Sequence, residues 1–409
     1  MLNWADQFDV CCFLDSHHYT LPHKQTDCLL AVGVHQVFSP QHNILAQLKP
    51  FLHQSQNDWL FGHISYDLKN EIEGLTSSHT DHIGFPDIYF FQPEIVLELQ
   101  ENKLYIHSLT DLPDHIFETI SQQSPSSEKR GAAFTIQARQ TKENYLQAIH
   151  AIQGHILRGD CYEMNYCQEF FATDAETDTV SLYERLSKLS PAPFSAYYKL
   201  IDKYLLSASP ERYMRKTGRN IISQPIKGTL KRTAQDEETT KTQQERLFHS
   251  QKNRSENVMI VDLVRNDLSK ICEEGSVEVE ELFGIYSFPQ VHQMISTITG
   301  TLKADVDFAD ILAATFPMGS MTGAPKRSVL QLTEKYEQTK RGIYSGAVGY
   351  ISPSGDFDFN VVIRSIMYNA SNKYLNYLVG GGITFYSNAE EEYEECLLKA
   401  EGMRKALES

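Results

Sequence analysis

The sequence predicts a strand-rich fold that mixes α-helices and β-strands, and three observations support it. Short apolar runs bounded by polar or turn-forming residues recur along the chain, as at 10–14 (VCCFL) and 28–34 (CLLAVGV), and runs of this length are typical of buried strands. Apolar residues follow helical spacing across 142–158, and Gly159 marks the end of that helix. The chain of 409 residues is long enough to enclose a large core.

The same patterns predict the remaining elements. We expect further strands at 59–68, 88–91, 95–99, 104–108, 161–171, 195–206, 291–300, 346–351, 357–368 and 375–379. We expect further helices at 112–121, 181–189, 235–264, 308–316, 326–339 and 389–407. The helix at 235–264 begins with a charged, solvated part and enters the core through its apolar end.

A polar linker divides the chain. Residues 121–131 (SQQSPSSEKRG) contain proline, glycine and four serines, which is typical of a connection between folded units. We therefore expect an N-terminal subdomain over residues 1–130 and a second region over residues 131–409.

Composition and charge narrow the possible functions. The formal net charge of −16 argues against nucleic acid or an anionic membrane as a partner, because both repel an acidic protein. The seven cysteines form no CxxC pair and are typical of reduced thiols in a core. We see no basic and apolar leader at Met1 and no apolar run of about 18 residues, so we expect a cytoplasmic protein.

The first candidate for chemistry is Lys227, in the stretch 223–232 (SQPIKGTLKR). Pro225 fixes one backbone dihedral angle, and Gly228 permits a conformation or a close approach that a side chain would forbid. Spacing alone favours an ordinary surface lysine in a turn. A lysine is a nucleophile only without its proton, and burial or nearby cations can lower its pKa from about 10.4.

Carboxylates at two places suggest a cation site. Glu256 opens the apolar run 256–268 (ENVMIVDLVRNDL), and a carboxylate at the edge of a buried segment usually has a partner. Near the C terminus, Glu392 and Glu395 share one helix face, with Lys399 one turn further on. Acidic residues in a first helical turn also compensate the helix dipole, and that alternative stays open. Mg²⁺ binds one or two carboxylates together with waters and ligand oxygens.

Two further features point to an anionic ligand. The glycines Gly380–Gly382 follow a predicted strand, where they either leave room for a ligand or another backbone or form a flexible turn. Arg364 lies in the apolar stretch 359–368 and needs an anion there, either a structural carboxylate or a substrate carboxylate. The stretch 319–326 (GSMTGAPK) lacks the spacing and the GK[ST] ending of a phosphate loop, so we expect no nucleotide site there.

Together these stretches resemble the chorismate-utilising enzymes, a family that includes the anthranilate synthase large subunit, aminodeoxychorismate synthase component I, isochorismate synthase and salicylate synthase. The motifs that carry the resemblance are, in chain order, GDCYEMNYCQEF, SASPERY, PIKGT, ENVMIVDLVRNDL, FPMGSMTGAPK, YSGAVGY, FNVVIRSI, GGGITFYSN and EEYEECLLKAEGM. The stretch FGHISYDLKNEIE resembles the N-terminal part of aminodeoxychorismate synthases, so the resemblance covers nearly the whole chain.

The resemblance also has a structural implication. It implies an α+β fold in which large antiparallel sheets pack against outer helices, as in anthranilate synthase component I. The region 131–409 would then be the chorismate-binding catalytic part, and the region 1–130 would correspond to the N-terminal part of anthranilate synthase component I.

The PIKGT motif distinguishes the branches of the family. Anthranilate, isochorismate and salicylate synthases usually carry alanine at the position of Lys227, whereas aminodeoxychorismate synthases often carry a lysine that acts as covalent nucleophile. The chain therefore looks most like aminodeoxychorismate synthase component I. Glu163 falls where isochorismate and salicylate synthases place a water-activating lysine and the aminating branches usually place glutamine. Because glutamate departs from both patterns, we assign Glu163 no catalytic role.

The resemblance implies a Mg²⁺-dependent amination of chorismate to 4-amino-4-deoxychorismate, the precursor of p-aminobenzoate and folate. Glu256 and Glu395 would hold Mg²⁺, with Glu392 close behind, and the ion would act as Lewis acid and lower the pKa of Lys227. Lys227 would attack the ring, while Glu211 would protonate the departing hydroxyl.

The other implied site residues hold the substrate or complete the catalytic set. The substrate-binding residues would be Thr229, Gly228, Tyr344, Arg364, Gly380, Gly381, Gly382 and Lys399, and His292 would be a further catalytic residue. Ammonia in this family comes from a separate glutaminase subunit. We see no glutaminase motif with a reactive cysteine in this sequence, so we expect such a partner.

Three alternatives stay open. Anthranilate synthase component I is the nearest, and it would release fluorescent anthranilate without an added lyase. The second is a non-catalytic regulator that binds chorismate or an amino acid, since related proteins often hold tryptophan near the position of 14–16 (LDS). The intact set of site residues argues against lost catalysis. The third is isochorismate synthase, which Glu163 disfavours.

Overall fold

The computed structural model describes residues 1–17, 19, 26–123, 134–232, 237–288 and 291–408. The α-helices are α1 (Leu2–Ala5), α2 (Ile44–Gln54), α3 (Lys69–Glu73), α4 (Pro113–Ser121), α5 (Lys142–Arg158), α6 (Thr179–Leu189), α7 (Glu237–Phe248), α8 (Gln251–Ile271), α9 (Phe308–Thr315), α10 (Lys326–Tyr336) and α11 (Ala389–Glu408). Two 3₁₀ helices lie at Tyr66–Leu68 and Gly319–Met321.

The strands alternate with these helices along the chain. They are β1 (Val10–Asp15), β2 (Cys28–Val32), β3 (Gln36–Phe38), β4 (Leu60–Ile64), β5 (Ile88–Gln92), β6 (Ile95–Gln100), β7 (Lys103–Ser108), β8 (Gln137–Ala138), β9 (Glu163–Ala172), β10 (Phe194–Leu200), β11 (Lys203–Ser209), β12 (Arg212–Thr217), β13 (Asn220–Gln224), β14 (Ile226–Lys231), β15 (Glu278–Ser287), β16 (Val291–Thr301), β17 (Gly323–Ala324), β18 (Ala347–Ile351), β19 (Phe357–Val361), β20 (Ser365–Asn369) and β21 (Tyr374–Ile383).

These strands form two large sheets. In the described part of the chain, the first sheet has 11 strands in the order β17-β9-β21-β20-β11-β10-β1-β2-β6-β7, with β8 paired to β9. The second has 10 strands in the order β14-β16-β13-β12-β19-β18-β4-β5-β3, with β15 paired to β16. Every strand pairing in both sheets is antiparallel. The predicted α+β fold with large antiparallel sheets is therefore confirmed.

The first sheet is covered on both faces. Side chains alternate across a strand, so Cys12 of β1 enters a core shared with the second sheet, whereas its neighbour Cys11 enters a core on the opposite face. Tyr145 of α5, Leu182 of α6 and Cys396 of α11 belong to that second core. Helices thus pack outside the sheet, as the resemblance implies.

Strands from the predicted N-terminal subdomain and strands from the region after it lie together in both sheets. In the described chain, β1, β2, β6 and β7 lie in the first sheet next to β10, and β3, β4 and β5 join the second sheet next to β18. The predicted boundary after residue 130 falls in the segment 124–133, which lies outside the described residues. The division at that point stays a prediction.

The cysteines and the helices bear on two other expectations. All seven cysteines are buried free thiols, as the spacing suggests. No described helix is both long enough and apolar enough to cross a membrane.

The predicted strand at 357–368 is in fact two strands, β19 in the second sheet and β20 in the first. The chain crosses between the sheets at Arg364, whose φ of 53° lies in the left-handed region. Because β19 and β20 are both buried, their apolar residues run together in sequence and hide the break. The expectation that Arg364 lies inside a strand is wrong.

The long helix predicted at 235–264 is likewise divided, into α7 and α8. Ser250 caps α8, because its side chain accepts a hydrogen bond from the backbone N–H of Asn253. The new helix start matters for the site, since α8 carries Glu256 into the protein interior.

A buried ion pair fixes the elements beneath the site. Arg341 Nη2 donates to Glu337 Oε1 at 2.6 Å and to the carbonyl of Asn165 at 2.9 Å, and Nη1 donates to the carbonyl of Met321 at 2.7 Å. The backbone N–H of Cys167 donates to the same Glu337 oxygen at 2.9 Å. The pair therefore joins the end of α10 to β9 and to the second 3₁₀ helix.

Replacing Glu337 with alanine leaves the Arg341 charge buried without its partner. We expect Glu337→Ala to lower the free energy of unfolding by about 3–5 kcal/mol, measured by denaturant titration. Glu408→Ala is the matched control, because it breaks an exposed pair with Arg404 at 2.7 Å and should cost less than about 1 kcal/mol. Equal losses in the two variants would contradict a structural role for the buried pair.

Candidate active site

All but one of the site residues that the sequence predicts converge on one cavity, where β21 and the connection before β20 meet α8, α11 and β14. They come from segments far apart in the chain and meet only in the fold. The predicted residues that line the cavity are Glu211, Lys227, Gly228, Thr229, Glu256, Tyr344, Arg364, Gly380, Gly381, Gly382, Glu392, Glu395 and Lys399.

His292 is the exception, since the cavity wall contains its neighbour Gln293 instead. His292 is fully buried, and its Nδ1 is hydrogen-bonded to the Ser287 hydroxyl at 2.8 Å. Adjacent residues of a strand point to opposite faces, which explains the difference between the two side chains. The structure does not bring His292 to the cavity, and Gln293 stands where a catalytic His292 was expected.

An irregularity in β14 aims Lys227 into the cavity. β14 pairs with β16 at Ile226 and again at Thr229, and the register shifts between these two residues, where Lys227 and Gly228 lie. A β-bulge of this kind redirects a side chain away from the regular ladder. Gly228 has a φ of 96°, and a Cβ there would lie 3.0 Å from the side chain of Asn253. Glycine is therefore required both for the bend and for the packing of α8 against it.

Lys227 is buried and paired with Glu163, since its Nζ donates to Glu163 Oε1 at 2.6 Å. Burial acts to lower the pKa of Lys227, but the negative charges of Glu163 and Glu256 outweigh it and the pKa is raised. The carboxylates around Lys227 therefore favour the ammonium form, and the lowering of its pKa by bound Mg²⁺ stays a prediction.

Glu211 is a buried carboxyl group beside Lys227. Burial raises the pKa of Glu211 to about 7, against the opposing effects of a hydrogen bond from Ser320 and the charge of Lys227. A carboxyl group with this pKa is partly protonated near neutral pH and can donate a proton. Ser320 belongs to the GSMTGAPK stretch, so that motif serves the cavity through Glu211 rather than through a phosphate.

Glu256, Glu392 and Glu395 surround one ammonium group. Lys252 Nζ lies 2.7 Å from Glu392 Oε1, 3.9 Å from Glu395 Oε2 and 4.0 Å from Glu256 Oε1. Glu256 Oε1 is buried with no hydrogen-bond partner among the described residues, and burial raises the pKa of Glu256 to about 7. The described residues contain no group of three or more His, Cys, Asp or Glu side chains that could hold a metal ion. The predicted three-carboxylate Mg²⁺ site stays a prediction.

Lys399 joins the C-terminal helix to the glycines of β21. Its Nζ donates to the carbonyl of Gly380 and lies 2.9 Å from that oxygen and from Glu395 Oε1. The positive charge of Lys399 lowers the pKa of Glu395 to about 2. This carboxylate is thus ionised at any ordinary pH.

The three glycines are strand residues of β21, paired with β9, and not a flexible turn. A Cβ at Gly382 would lie 2.5 Å from Glu163 Oε1 and 2.9 Å from Lys227 Nζ. A Cβ at Gly380 would lie 2.2 Å from the carbonyl of Tyr166. The glycines therefore admit the buried ion pair and the close approach of β9.

Arg364 presents its charge to the cavity. Among the described residues, no carboxylate lies within 4.0 Å of its guanidinium group, and its neighbours in charge are the Tyr344 hydroxyl and, at longer range, Glu395. A structural carboxylate partner is thus absent from the described part of the chain. The second alternative, an anionic group of a ligand, fits this geometry better.

Several cavity residues escaped the sequence analysis. They are Asn165, Lys252, Asn253, Gln293 and Ser320. A signal existed for Lys252, which precedes Glu256 by four residues and so shares its helix face. No signal existed for the pairing of Glu163 with Lys227, because 64 residues separate them.

A second cavity lies between the two sheets at the stretch 14–16. Leu14, Asp15 and Ser16 line it together with Arg212 and Tyr350. Arg212 is held by Asp358, since its Nε donates to Asp358 Oδ1 at 2.9 Å. The cavity stands where the resemblance places tryptophan in related proteins, and its occupant stays a prediction.

Comparison with known proteins agrees with this arrangement. The family model described as chorismate binding enzyme matches residues 12–405. The chain is 34% identical over 399 residues to aminodeoxychorismate synthase component 1 of Salmonella typhimurium, which covers 95% of this chain and 87% of that protein. It is 36% identical over 356 residues to the protein of the same name from Klebsiella aerogenes, which covers 86% of this chain and 76% of that protein.

Solved structures extend the comparison to the fold. Anthranilate synthase component I from Streptococcus pneumoniae matches with a TM-score of 0.82 over 94% of each chain, at 24% identity. The predicted anthranilate synthase component I-like fold is therefore confirmed. Because the family model spans nearly the whole sequence and the cavity unites the motifs of that family, the chain belongs to the chorismate binding enzymes.

Proposed function

We propose that this enzyme aminates chorismate to 4-amino-4-deoxychorismate, as the names of its relatives from Salmonella typhimurium and Klebsiella aerogenes suggest for those proteins. The observation that carries the proposal is Lys227, a buried amine in a cavity that also presents a carboxyl group of raised pKa and an arginine with no carboxylate partner among the described residues. A nucleophile, an anion-binding group and a proton donor are the parts that this displacement requires.

Arg364 is the principal group for substrate binding. Chorismate is a dicarboxylate, and a guanidinium group that no described carboxylate holds suits one of its carboxylates through two parallel hydrogen bonds. Tyr344 and Thr229 line the same cavity and add hydroxyl groups for the rest of the molecule. Gly381 lines the cavity as well, so its backbone is available to a ligand.

Mg²⁺ is the cofactor that we propose for the carboxylates. Carboxylate oxygens are the donors that it prefers, and one or two suffice because waters and ligand oxygens complete its shell. Glu256 and Glu395 fit this role, with Glu392 beside them, and the unpartnered Glu256 Oε1 is an available donor. When bound, the ion supplies a Lewis acid for the ring carboxylate and positive charge near Lys227.

The proposed reaction has two displacements. The Lys227 amine forms a bond to a ring carbon while the hydroxyl leaves, and Glu211 gives that hydroxyl a proton so that it departs as water. Ammonia then forms a bond to the carbon that lost the hydroxyl, and the bond to Lys227 breaks. Two easier steps thereby replace one difficult displacement.

The source of ammonia and the location of the enzyme complete the proposal. Relatives named component 1 imply a second component, and we propose a glutaminase subunit in that role. The free thiols of all seven cysteines support a reducing compartment such as the cytoplasm. We also propose tryptophan as the ligand of the cavity at 14–16.

The proposal is tested by product analysis. Purified enzyme with chorismate, Mg²⁺ and ammonium should give a product with the mass of 4-amino-4-deoxychorismate, and p-aminobenzoate only after a lyase is added. Chelation of Mg²⁺ with EDTA should stop the reaction. Fluorescent anthranilate without a lyase would support the anthranilate synthase alternative, and no product at all would support a binding protein.

The Lys227→Ala variant tests the nucleophile. We expect it to fold and to lose most amination, because the other cavity lysines, Lys252 and Lys399, are held by carboxylates of α11. The rate should fall at least about 100-fold in a mass-spectrometric assay. Lys231→Ala is the matched control, since Lys231 lies on the same strand with a largely exposed side chain. Wild-type rates in the Lys227 variant would remove lysine from the mechanism.

The pKa of Glu211 predicts the pH dependence of the reaction. Glu211 must be protonated to act, so the rate at a fixed concentration of free ammonia should fall as the pH rises through about 7. In Glu211→Gln the rate should be about 10²–10⁴-fold lower, because the amide donates no proton. The rate of this variant should also show no decline as the pH rises through about 7. A wild-type rate that stays constant between pH 6 and 9 would show that another group is the acid.

A further inference from the structure

The ammonium form of Lys227 poses a problem for the proposed reaction. Nitrogen attacks carbon with its lone pair, and an ammonium group has none. The carboxylates around Lys227 favour that ammonium form, so some group must remove a proton before the first displacement. The group has to lie within hydrogen-bond reach of Nζ.

Glu163 meets this requirement. Its Oε1 lies 2.6 Å from Lys227 Nζ, and both side chains are buried. Among the described residues it is the carboxylate that pairs directly with Nζ, whereas Glu256 and Glu211 act on Lys227 only through their charge. Glu395 also interacts with Lys227 through its charge.

The other candidates have different tasks. Glu211 is needed in its protonated form, so it cannot also accept a proton at the same moment. Glu256 is the proposed cation ligand. Glu163, by contrast, does not line the cavity, and its second oxygen Oε2 is buried with no hydrogen-bond partner in the described structure. Glu163 is thus left without either of these tasks and lies directly against Nζ.

The fold holds this contact in place. Glu163 begins β9, and its neighbour across the sheet is Ala324 of β17. Gly382 lies directly over the ion pair, where a Cβ would fall within 3 Å of both Glu163 Oε1 and Lys227 Nζ. The glycine thus leaves room for the two side chains to meet.

We propose that Glu163 is a catalytic residue, the base that takes the proton of Lys227 before the amine attacks chorismate. This inference rests on the proposed covalent route. Glu163 Oε1 receives the proton, and the freed lone pair of Nζ forms the bond to the ring carbon. The ring electrons shift, the carbon–oxygen bond breaks, and the hydroxyl leaves as water with the proton of Glu211.

The second displacement restores both groups. The lone pair of ammonia forms the new carbon–nitrogen bond, the ring electrons shift back, and the bond to Nζ breaks. Glu163 returns its proton to Lys227, and Glu211 takes one from the newly bound ammonium group. Chorismate and ammonia have then given the aminated product and water, with no oxidant or reductant involved.

The test measures the covalent adduct directly, by rapid quenching and intact-protein mass spectrometry of enzyme mixed with chorismate and Mg²⁺ without ammonia. Glu163→Gln keeps a hydrogen-bond acceptor but accepts no proton, so Lys227 must lose its proton to solvent. The rate of adduct formation in this variant, divided by the wild-type rate, should rise about tenfold per pH unit below the lysine pKa. The ratio cancels the effect of Glu211, which both proteins share.

Two more variants complete the experiment. Glu163→Ala, a second variant without a base, should show the same rising ratio if the glutamine variant does not fold. Glu163→Asp keeps a carboxylate, and its ratio to wild type should not vary with pH. A pH-independent ratio in the glutamine and alanine variants would overturn the role of Glu163 alone. Lys227→Ala should form no adduct and serves as the blank. If the wild-type enzyme makes aminated product but no adduct, the covalent route and this inference are both overturned.

Discussion

Buried charge is the constraint on which this molecule depends, because an ionised group is stable away from water only beside charges of opposite sign. In and beside the cavity, four cationic side chains meet four acidic side chains besides Glu211, and each lysine is paired with at least one of them. The cations are Lys227, Lys252, Lys399 and Arg364, and the carboxylates are Glu163, Glu256, Glu392 and Glu395. Glu211 adds no charge when it carries its proton, which its raised pKa permits. Arg364 is left as the cation without a direct partner among the described residues, and it is therefore the group best placed to receive an anion from outside.

The fold supplies these charges from distant parts of the chain. The first sheet brings Glu163 and the glycines of β21 together, while the second sheet brings Lys227 through the irregularity in β14. The crossing between the sheets places Arg364 at their junction. Beneath them, the pair of Glu337 and Arg341 holds β9 against the end of α10. Helices α8 and α11 carry most of the remaining charged groups, so regular elements rather than loops position them, which reduces the cost of ordering them when a substrate binds.

Much of this arrangement was predictable from the sequence, and the failures have identifiable causes. Helix α5 was predicted with its observed bounds, because its apolar spacing and the glycine after it agree. The division of 357–368 was not predictable, since strands buried in two different sheets give one unbroken apolar run. Motifs identified most of the cavity residues, but strand alternation turned His292 away from it. The partner of Lys227 could not be predicted, because charge pairing across 64 residues leaves no local pattern.

The balance of charge also links the two ligands of the proposed reaction. A dicarboxylate that enters alone would bring an excess of two negative charges into the cavity, buried where their repulsion is weakly screened. A divalent cation that enters alone would leave the opposite excess. Bound together, the two restore the balance, so each favours the binding of the other, and thermodynamic linkage requires this coupling to be equal in both directions. The same argument applies within the protein: passing a proton from Lys227 to Glu163 neutralises both partners of the buried pair at once. The nucleophile can therefore be released without changing the total charge of the cavity.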